Sequence, residues 1–287
     1  MKRIFGILIA FTATFMIGCT EDNQLEDASS IYVDDVDFVV TSEAAFDDVE
    51  DAAEEALGYD FLNSGRDGHG KFFGCADITK DAEAQMITID FGDGCEGRND
   101  RVRSGKIIIT WSGERGEAGF TKSVTFEDYM VSGVAIEGTR TSVNVSGHDA
   151  NPKVYTVTLT GGKMTFEDGS IATREASHTT TSEKTEDDKI KTKYGSASGI
   201  NMDGLTYAKV VDEATPITFK HSCKEEGIFA PVSGIATISV EGELDKVVDF
   251  GDGTCDNIAT VTQGDLVEEI EVDPTKRRRG HQIRKRG

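Results

Sequence analysis

Proline, tryptophan and histidine are scarce in this 287-residue chain, which has four, one and five of them. So few prolines exclude a Pro-rich linker protein, whereas 31 glycines suit many tight turns. The histidines, at positions 69, 148, 178, 221 and 281, lack metal-ligand spacing and are predicted to be polar surface residues. No Cys-x-x-Cys pair indicates zinc, and no Gly-x-Ser-x-Gly elbow indicates a serine hydrolase.

Positive charge is missing from a long acidic segment. Residues 20–65 contain 15 Asp or Glu and no Lys or Arg, whereas residues 276–287 contain seven Lys or Arg and no acid. The net charge of −22 leaves the body of the chain acidic. An acidic body repels phosphates, so we expect no nucleic-acid partner.

The N-terminus lacks an apolar run long enough for a membrane-spanning helix. Lys2 and Arg3 precede an apolar stretch at 4–17, which is shorter than the roughly 20 residues a span needs but suits a signal peptide. The stretch ends in Met16-Ile17-Gly18-Cys19, which resembles the bacterial lipobox. This resemblance implies removal of residues 1–18 and acylation of Cys19, including an amide-linked chain such as palmitate. An ordinary secretory signal is the alternative.

The residues after Cys19 are polar and acidic. Thr20-Glu21-Asp22 resembles the acidic surface-export signal of Bacteroidota-like lipoproteins. We therefore expect lipid anchoring in the outer membrane, with display at the cell surface a further possibility. Residues 19–40 are predicted to be an acidic tether.

An amphipathic helix is predicted over residues 41–58, capped by Thr41 or Ser42 and ending at Gly58. Its apolar stripe is expected to dock on the rest of the domain, and its opposite face is acidic. The stripe contains Phe46, Val49, Ala53 and Leu57, and the acidic face contains Asp47, Asp48, Asp51, Glu54 and Glu55.

From about residue 70 apolar residues recur at every second position, and this pattern predicts β-strands. The segments are 86–90, 106–111, 123–126, 154–159, 217–219 and 235–240. Many strands at short spacing predict a mainly β fold over 70–273, with antiparallel meander sheets in a sandwich or open barrel. The polar segment 179–193 is predicted to be a long exposed hairpin or loop.

Two segments of the β-domain resemble each other. Residues 89–95 and 248–255 each form a strand, a Gly-Asp-Gly turn and a cysteine, and each has another cysteine upstream. In an oxidising compartment this echo favours the pairs Cys75–Cys95 and Cys223–Cys255, one in each weakly similar unit. Free or metal-binding thiols are the alternative.

These paired turns, together with the stretches 103–110 and 136–140, resemble uncharacterised Bacteroidota lipoproteins over about residues 70–265. The resemblance implies localisation and brings no assigned activity.

Two further features have two interpretations each. Asp90, Asp93, Asp249 and Asp252 are predicted to shape turns, with Ca²⁺ binding the weaker alternative and no other cofactor expected. The aromatic residues Trp111, Tyr129, Tyr155, Tyr194 and Tyr207 are predicted to be core, with a sugar-stacking platform the alternative.

The basic tail, residues 274–287, is predicted to be a solvated terminus. Contact with anionic lipid or lipopolysaccharide, or with the acidic segment 20–65, are its alternatives. The leading hypothesis for the whole chain is a non-enzymatic envelope lipoprotein whose disulfide-braced β-domain binds a protein or glycan or does structural work. A surface hydrolase acting on carbohydrate and a lipid-carrier module are the alternatives.

Overall fold

The structure is a computed structural model that describes residues 31–58, 75–97 and 101–273. It is mainly β, with 54% strand and 13% helix, so the predicted fold class is confirmed. All described residues belong to one unit that begins at Ile31. The predicted signal peptide, Cys19 and the basic tail lie outside the described residues.

The long helix α1 spans Asp34–Gly58. It begins seven residues before the predicted start, so the predicted tether 19–40 extends too far. Thr41 and Ser42 lie inside the helix, where their hydroxyls donate to carbonyls one turn earlier, so the predicted cap is wrong. Three aspartates in its first turn favour the earlier start because they complement the helix dipole.

Within the described residues, fifteen strands and one short helix follow α1. They are β1 Asp77–Asp81, β2 Met86–Asp90, β3 Cys95–Glu96, β4 Val102–Ser112, β5 Thr121–Val131, β6 Val134–Asn144, β7 Lys153–Thr165, β8 Ile171–Lys184, β9 Lys189–Ile200, β10 Thr206–Val211, β11 Ile217–Lys220, α2 His221–Glu225, β12 Ser233–Val240, β13 Lys246–Asp252, β14 Ile258–Gln263 and β15 Leu266–Glu271. All six predicted strand segments lie within these elements, so those predictions are confirmed.

The strands form one antiparallel sheet in the order β1-β2-β4-β5-β6-β7-β8-β9-β10-β12-β13-β14-β15. The short strand β3 pairs with β4, and β11 pairs with both β9 and β12. Most neighbours in the sheet are also neighbours in the chain, which is the predicted meander. The described strands form one continuous sheet rather than the two separate sheets of a sandwich.

Bulges bend this sheet. The β4–β5 register shifts between Ser104 and Lys106, where Gly105 has φ +72°. A Cβ on Gly105 would lie 2.2 Å from the carbonyl oxygen of Asp128, so only glycine fits there. Further register shifts occur between β5 and β6, β6 and β7, β7 and β8, and β12 and β13. Bulges increase local bend and twist, which allows a wide sheet to curl.

The curled sheet encloses α1. Only three of the 25 helix residues are exposed, and the predicted stripe residues Phe46, Val49 and Ala53 are buried. They pack in one cluster with inward residues of the sheet such as Ile87 and Ile109. The predicted docking of the apolar stripe is therefore confirmed. Among the described helices, none combines the length and the apolar character that crossing a membrane requires.

Two disulfides brace the sheet, as the internal echo predicts. Cys75 pairs with Cys95, with a Cα–Cα distance of 5.6 Å, and Cys223 pairs with Cys255 at 5.3 Å. The first fastens the segment before β1 to β3, and the second fastens α2 to the loop after β13. The two similar segments, 89–95 and 248–255, belong to the same sheet.

Candidate functional site

Seven strands each direct one buried cation toward α1. These residues, called the strand cations below, are between 0 and 7% exposed, although Lys and Arg are rarely buried unless they are paired. They are Arg103 on β4, Lys122 on β5, Arg140 on β6, Arg174 on β8, Lys193 on β9, Lys209 on β10 and Lys246 on β13.

The period-two pattern of the strands explains why these cations point inward. Lys209 lies two residues from Tyr207 and two from Val211, and all three are buried. Lys246 is likewise in phase with the buried residue Val248. Because alternate strand residues share a face, a lysine in phase with buried residues must face the interior. The sequence itself carries this signal, although neither lysine is among the predicted site residues.

The helix supplies matching carboxylates. Glu43, Asp47, Glu50 and Glu54 follow one another at spacings of four, three and four residues, which places them on one face of α1. We call this face the acidic stripe. Asp47 and Glu54 belong to the predicted acidic face, for which the basic tail was the only partner considered.

Glu43 lies at the centre of the charged interior. Lys193 donates to its Oε1 at 2.8 Å, Arg174 approaches its Oε2 at 3.5 Å, and Lys209 also donates to Oε2. One carboxylate therefore contacts cations from three neighbouring strands. Lys193 also contacts Asp47.

The acidic stripe continues toward β5 and β6. Arg140 contacts Asp47 and Glu50, at 3.2 Å each. Lys122 donates to Glu50 at 2.7 Å and also to Glu54. Each of these cations bridges two turns of α1, so the pairs fix the helix both along and around its axis.

Two of the strand cations contact α1 outside the stripe. Near its start, Lys246 contacts Asp35 at 3.2 Å and also contacts Glu243. On another side of the helix, Arg103 contacts Asp48 at 2.7 Å. The charged contacts of α1 thus reach from β4 to β13.

The surroundings favour the charged forms of most of the helix carboxylates and of the strand cations that they contact. Burial alone would raise the pKa of Glu43, but Lys193, Lys209 and Arg174 hold it well below its usual value. Burial also opposes ionisation of Glu50, yet its cationic neighbours lower its pKa to about 2. Despite burial, Glu50 and Glu54 raise the pKa of Lys122. Groups with such pKa values exchange no protons near neutrality, so they act as fixed charges rather than as general acids or bases.

Two groups depart from this pattern. Burial lowers the pKa of Lys209 despite its contact with Glu43, and His178 on β8 carries no charge. Burial, with help from Lys193 and Arg140, lowers its pKa to about 3, so the imidazole stays neutral. Its buried Nε2 has no hydrogen-bond partner among the described residues. The prediction of a polar surface position is therefore wrong for His178, whereas the side chains of His148 and His221 are 64% and 61% exposed. His69 and His281 lie outside the described residues.

The segment 179–193 forms the predicted hairpin but is not wholly exposed. It comprises the last part of β8, from residue 179, a turn at 185–188 and the start of β9. Thr180 and Lys193 are buried, at 7% and 3% exposed, because they face α1. The prediction of an exposed segment is wrong at these positions.

The four aspartates of the paired turns serve as turn residues. Asp90 Oδ1 accepts a hydrogen bond from the Gly92 amide at 2.9 Å, and Asp249 Oδ1 accepts the equivalent bond from Gly251 at 3.0 Å. Asp252 accepts from Thr254, and Asp93 is exposed in its turn. Within residues 31–58, 75–97 and 101–273, no group of three or more His, Cys, Asp or Glu side chains is arranged to hold a metal ion.

The predicted aromatic core is only partly formed. Tyr129 and Tyr207 are buried, at 1% and 4% exposed, and Tyr207 makes an edge-to-face contact with Phe38 of α1. Trp111 and Tyr194 are partly buried against the same core. Tyr155 is half-buried, and burial raises its pKa.

Comparison of the chain with protein-family profiles, with curated proteins and with solved structures found no match.

Proposed function

We propose that this chain is an exported, lipid-anchored envelope protein whose β-domain does binding or structural work without catalysis. The observation that carries the proposal is the pair of disulfides in the domain, since such bonds persist in oxidising compartments. The lipobox-like segment ending at Cys19 and the resemblance to Bacteroidota lipoproteins support anchoring in the outer membrane.

The charged interior supports a role as a rigid scaffold. Carboxylates that line a hydrolase site need one member with a pKa raised toward neutrality, whereas Glu43 and Glu50 have lowered pKa values. A lipid carrier needs an apolar cavity beneath the helix, whereas ion pairs to the acidic stripe occupy that position on β5, β6, β8, β9 and β10. The outer face of the sheet is then the surface on which a glycan or protein would bind.

The anchor is tested by expressing the full chain in a Gram-negative host supplied with a clickable palmitate analogue. We expect the protein to incorporate the label and to fractionate with the outer membrane. Cys19→Ala should abolish labelling, while the matched control Cys75→Ala, which changes a cysteine of the domain, should leave it intact. An unacylated Cys19 in the mature protein would contradict the proposal.

A further inference from the structure

The outer face of the sheet carries a continuous row of valine and threonine. Val210 on β10 pairs with Thr237 on β12, which pairs with Val247 on β13. Val247 in turn pairs with Thr262 on β14, and Thr262 pairs with Val267 on β15. We call these five residues the valine row. At about 4.8 Å per strand the row is about 19 Å long.

The valines of this row are unusually open to solvent. Val210 is 53% exposed, Val247 39% and Val267 67%. Leu244, in the turn before β13, is 67% exposed and lies near the β14–β15 turn. Several exposed apolar residues grouped on one face mark interaction surfaces more often than isolated ones do.

Carboxylates lie on both sides of the valine row. On one side Asp249 and Glu269 are exposed and pair in register with the same residue, Thr260. On the other side Asp245 and Asp265 are exposed in the turns that contain Leu244 and Gly264. A partner that fits must bring apolar contact along its middle and positive charge at its edges.

Lysine and arginine side chains combine these two properties. Their methylene stems lie along apolar surfaces while the charged ends reach outward to carboxylates. A second copy of this chain does not fit, because the acidic margins of two such faces would repel each other.

The chain itself carries a matching segment. Residues 276–286 include seven Lys or Arg and one aliphatic residue, Ile283. The acidic residues of α1 are poor partners for it, because Glu43, Asp47 and Glu50 already pair with strand cations.

The position where the chain leaves the sheet also suits this segment. β15 ends at Glu271, and Asp273 is six residues beyond Val267. Returning to Val267 takes about 20 Å, and crossing the row takes about 19 Å more. The 14 residues at 274–287 reach about 46 Å when extended, which covers both distances.

We propose that residues 276–286 return along β15 and then cross the valine row, with Lys and Arg stems over Val247 and Val267 and their charged ends at Asp249 and Glu269. The contact is intramolecular, so a weak interaction suffices to hold it. Because its ion pairs are exposed, it weakens as salt rises.

Zero-length carbodiimide crosslinking of the full chain tests the proposal, since it joins amines to carboxylates in contact. At low salt we expect Lys276 or Lys285 to be joined to Asp249 or Glu269 within one molecule, with the crosslinked peptides identified by mass spectrometry. In 0.5 M NaCl, where the Debye length is only about 4 Å, these products should fall several-fold.

Two variants distinguish docking of the basic segment on the valine row from its general attraction to an acidic protein. The double change Val247→Lys and Val267→Lys should lower the yield of these crosslinks roughly tenfold, as a loss of about 1.4 kcal/mol would. Val145→Lys, at a valine that is 51% exposed elsewhere, should leave it within about twofold. Far-ultraviolet circular dichroism and native mass spectrometry confirm that each variant is folded and monomeric.

Three results would overturn the proposal. Unchanged crosslinks in the double variant would show that the valine row is not the docking surface. Crosslinks formed only between molecules would assign the face to a second copy. Absence of the intramolecular product, combined with binding of the segment to phosphatidylglycerol vesicles, would assign the segment to a lipid surface.

Discussion

The two long faces of α1 are both covered by the sheet, yet only one has an apolar sequence. Phe46, Val49 and Ala53 meet aliphatic residues, whereas Glu43 and Asp47 meet strand cations. An acidic helix face is usually solvated, so the sequence pattern of the helix alone does not distinguish a free face from a paired one. A charged helix face can therefore be predicted to be exposed only after inward-facing charges on the strands have been considered as its partners.

The largest effect is expected when the centre of the acidic stripe is neutralised. Glu43→Gln leaves Arg174, Lys193 and Lys209 without their shared carboxylate, and breaking a buried pair costs about 3–5 kcal/mol. Urea unfolding at pH 7 measures this loss. Asp51→Asn is the control, because Asp51 is exposed and its contact with Lys224, at 3.8 Å, should contribute less than about 1 kcal/mol. Equal losses in the two variants would mean that the stripe is solvated.

Low pH should weaken the ion pairs of the acidic stripe and so lower the free energy of unfolding. The pKa of Glu50 is about 2 in the folded protein, against an ordinary value of 4.5. Its stabilisation is therefore present above pH 4.5 and is lost as the pH falls toward 2, by about 3 kcal/mol in total. Glu50→Gln should flatten the fall in unfolding free energy over this range. A variant with the same acid sensitivity as the parent would contradict the assignment.

A double-mutant cycle compares an interior ion pair with a surface pair. The side chains of Lys122 and Glu50 are 2% and 14% exposed, whereas those of Lys163 and Glu137 are 38% and 58% exposed. We expect a coupling energy of about 1–3 kcal/mol for the first pair and below about 1 kcal/mol for the second. Chemical denaturation of single and double alanine variants provides both values, and similar couplings would remove the distinction between interior and surface.

A further prediction concerns His178, whose pKa is about 3 rather than 6.5. The unfolded chain binds a proton here below pH 6.5 and the folded chain does not, so stability falls as the pH falls. Between pH 6.5 and 5 the slope from this residue approaches about 1.4 kcal/mol per pH unit. His178→Leu should remove it and the exposed-site control His221→Leu should not, as denaturation at several pH values would show. A slope that persists in His178→Leu would contradict the neutral buried imidazole.

Much of the fold is predictable from local pattern. Segments such as 86–90 and 235–240 alternate clearly, and the repeated Gly-Asp-Gly turns indicate both disulfide pairs. The start of α1 is also available in principle, because Val36, Phe38 and Val39 extend its apolar pattern and are buried.

The charged interior is harder to predict because it depends on long-range pairing. Glu43 is 131 residues from Arg174 and 166 from Lys209. The alternation of residues within β10 and β13 predicts that Lys209 and Lys246 face inward. No local pattern indicates which carboxylate each lysine contacts. The curl of the sheet decides that, and it depends on bulges such as the one at Gly105, whose effects accumulate across many strands.

Amine footprinting tests the central claim, the pairing of inward cations with α1, most directly. The folded chain is treated briefly with an acetylating reagent, and modification is measured at each lysine by mass spectrometry. We predict that Lys122, Lys193 and Lys246 are protected, while the exposed Lys163 and Lys106 react readily, and that denaturation makes all five equally reactive. Ready acetylation of the first three in the folded protein would contradict the account.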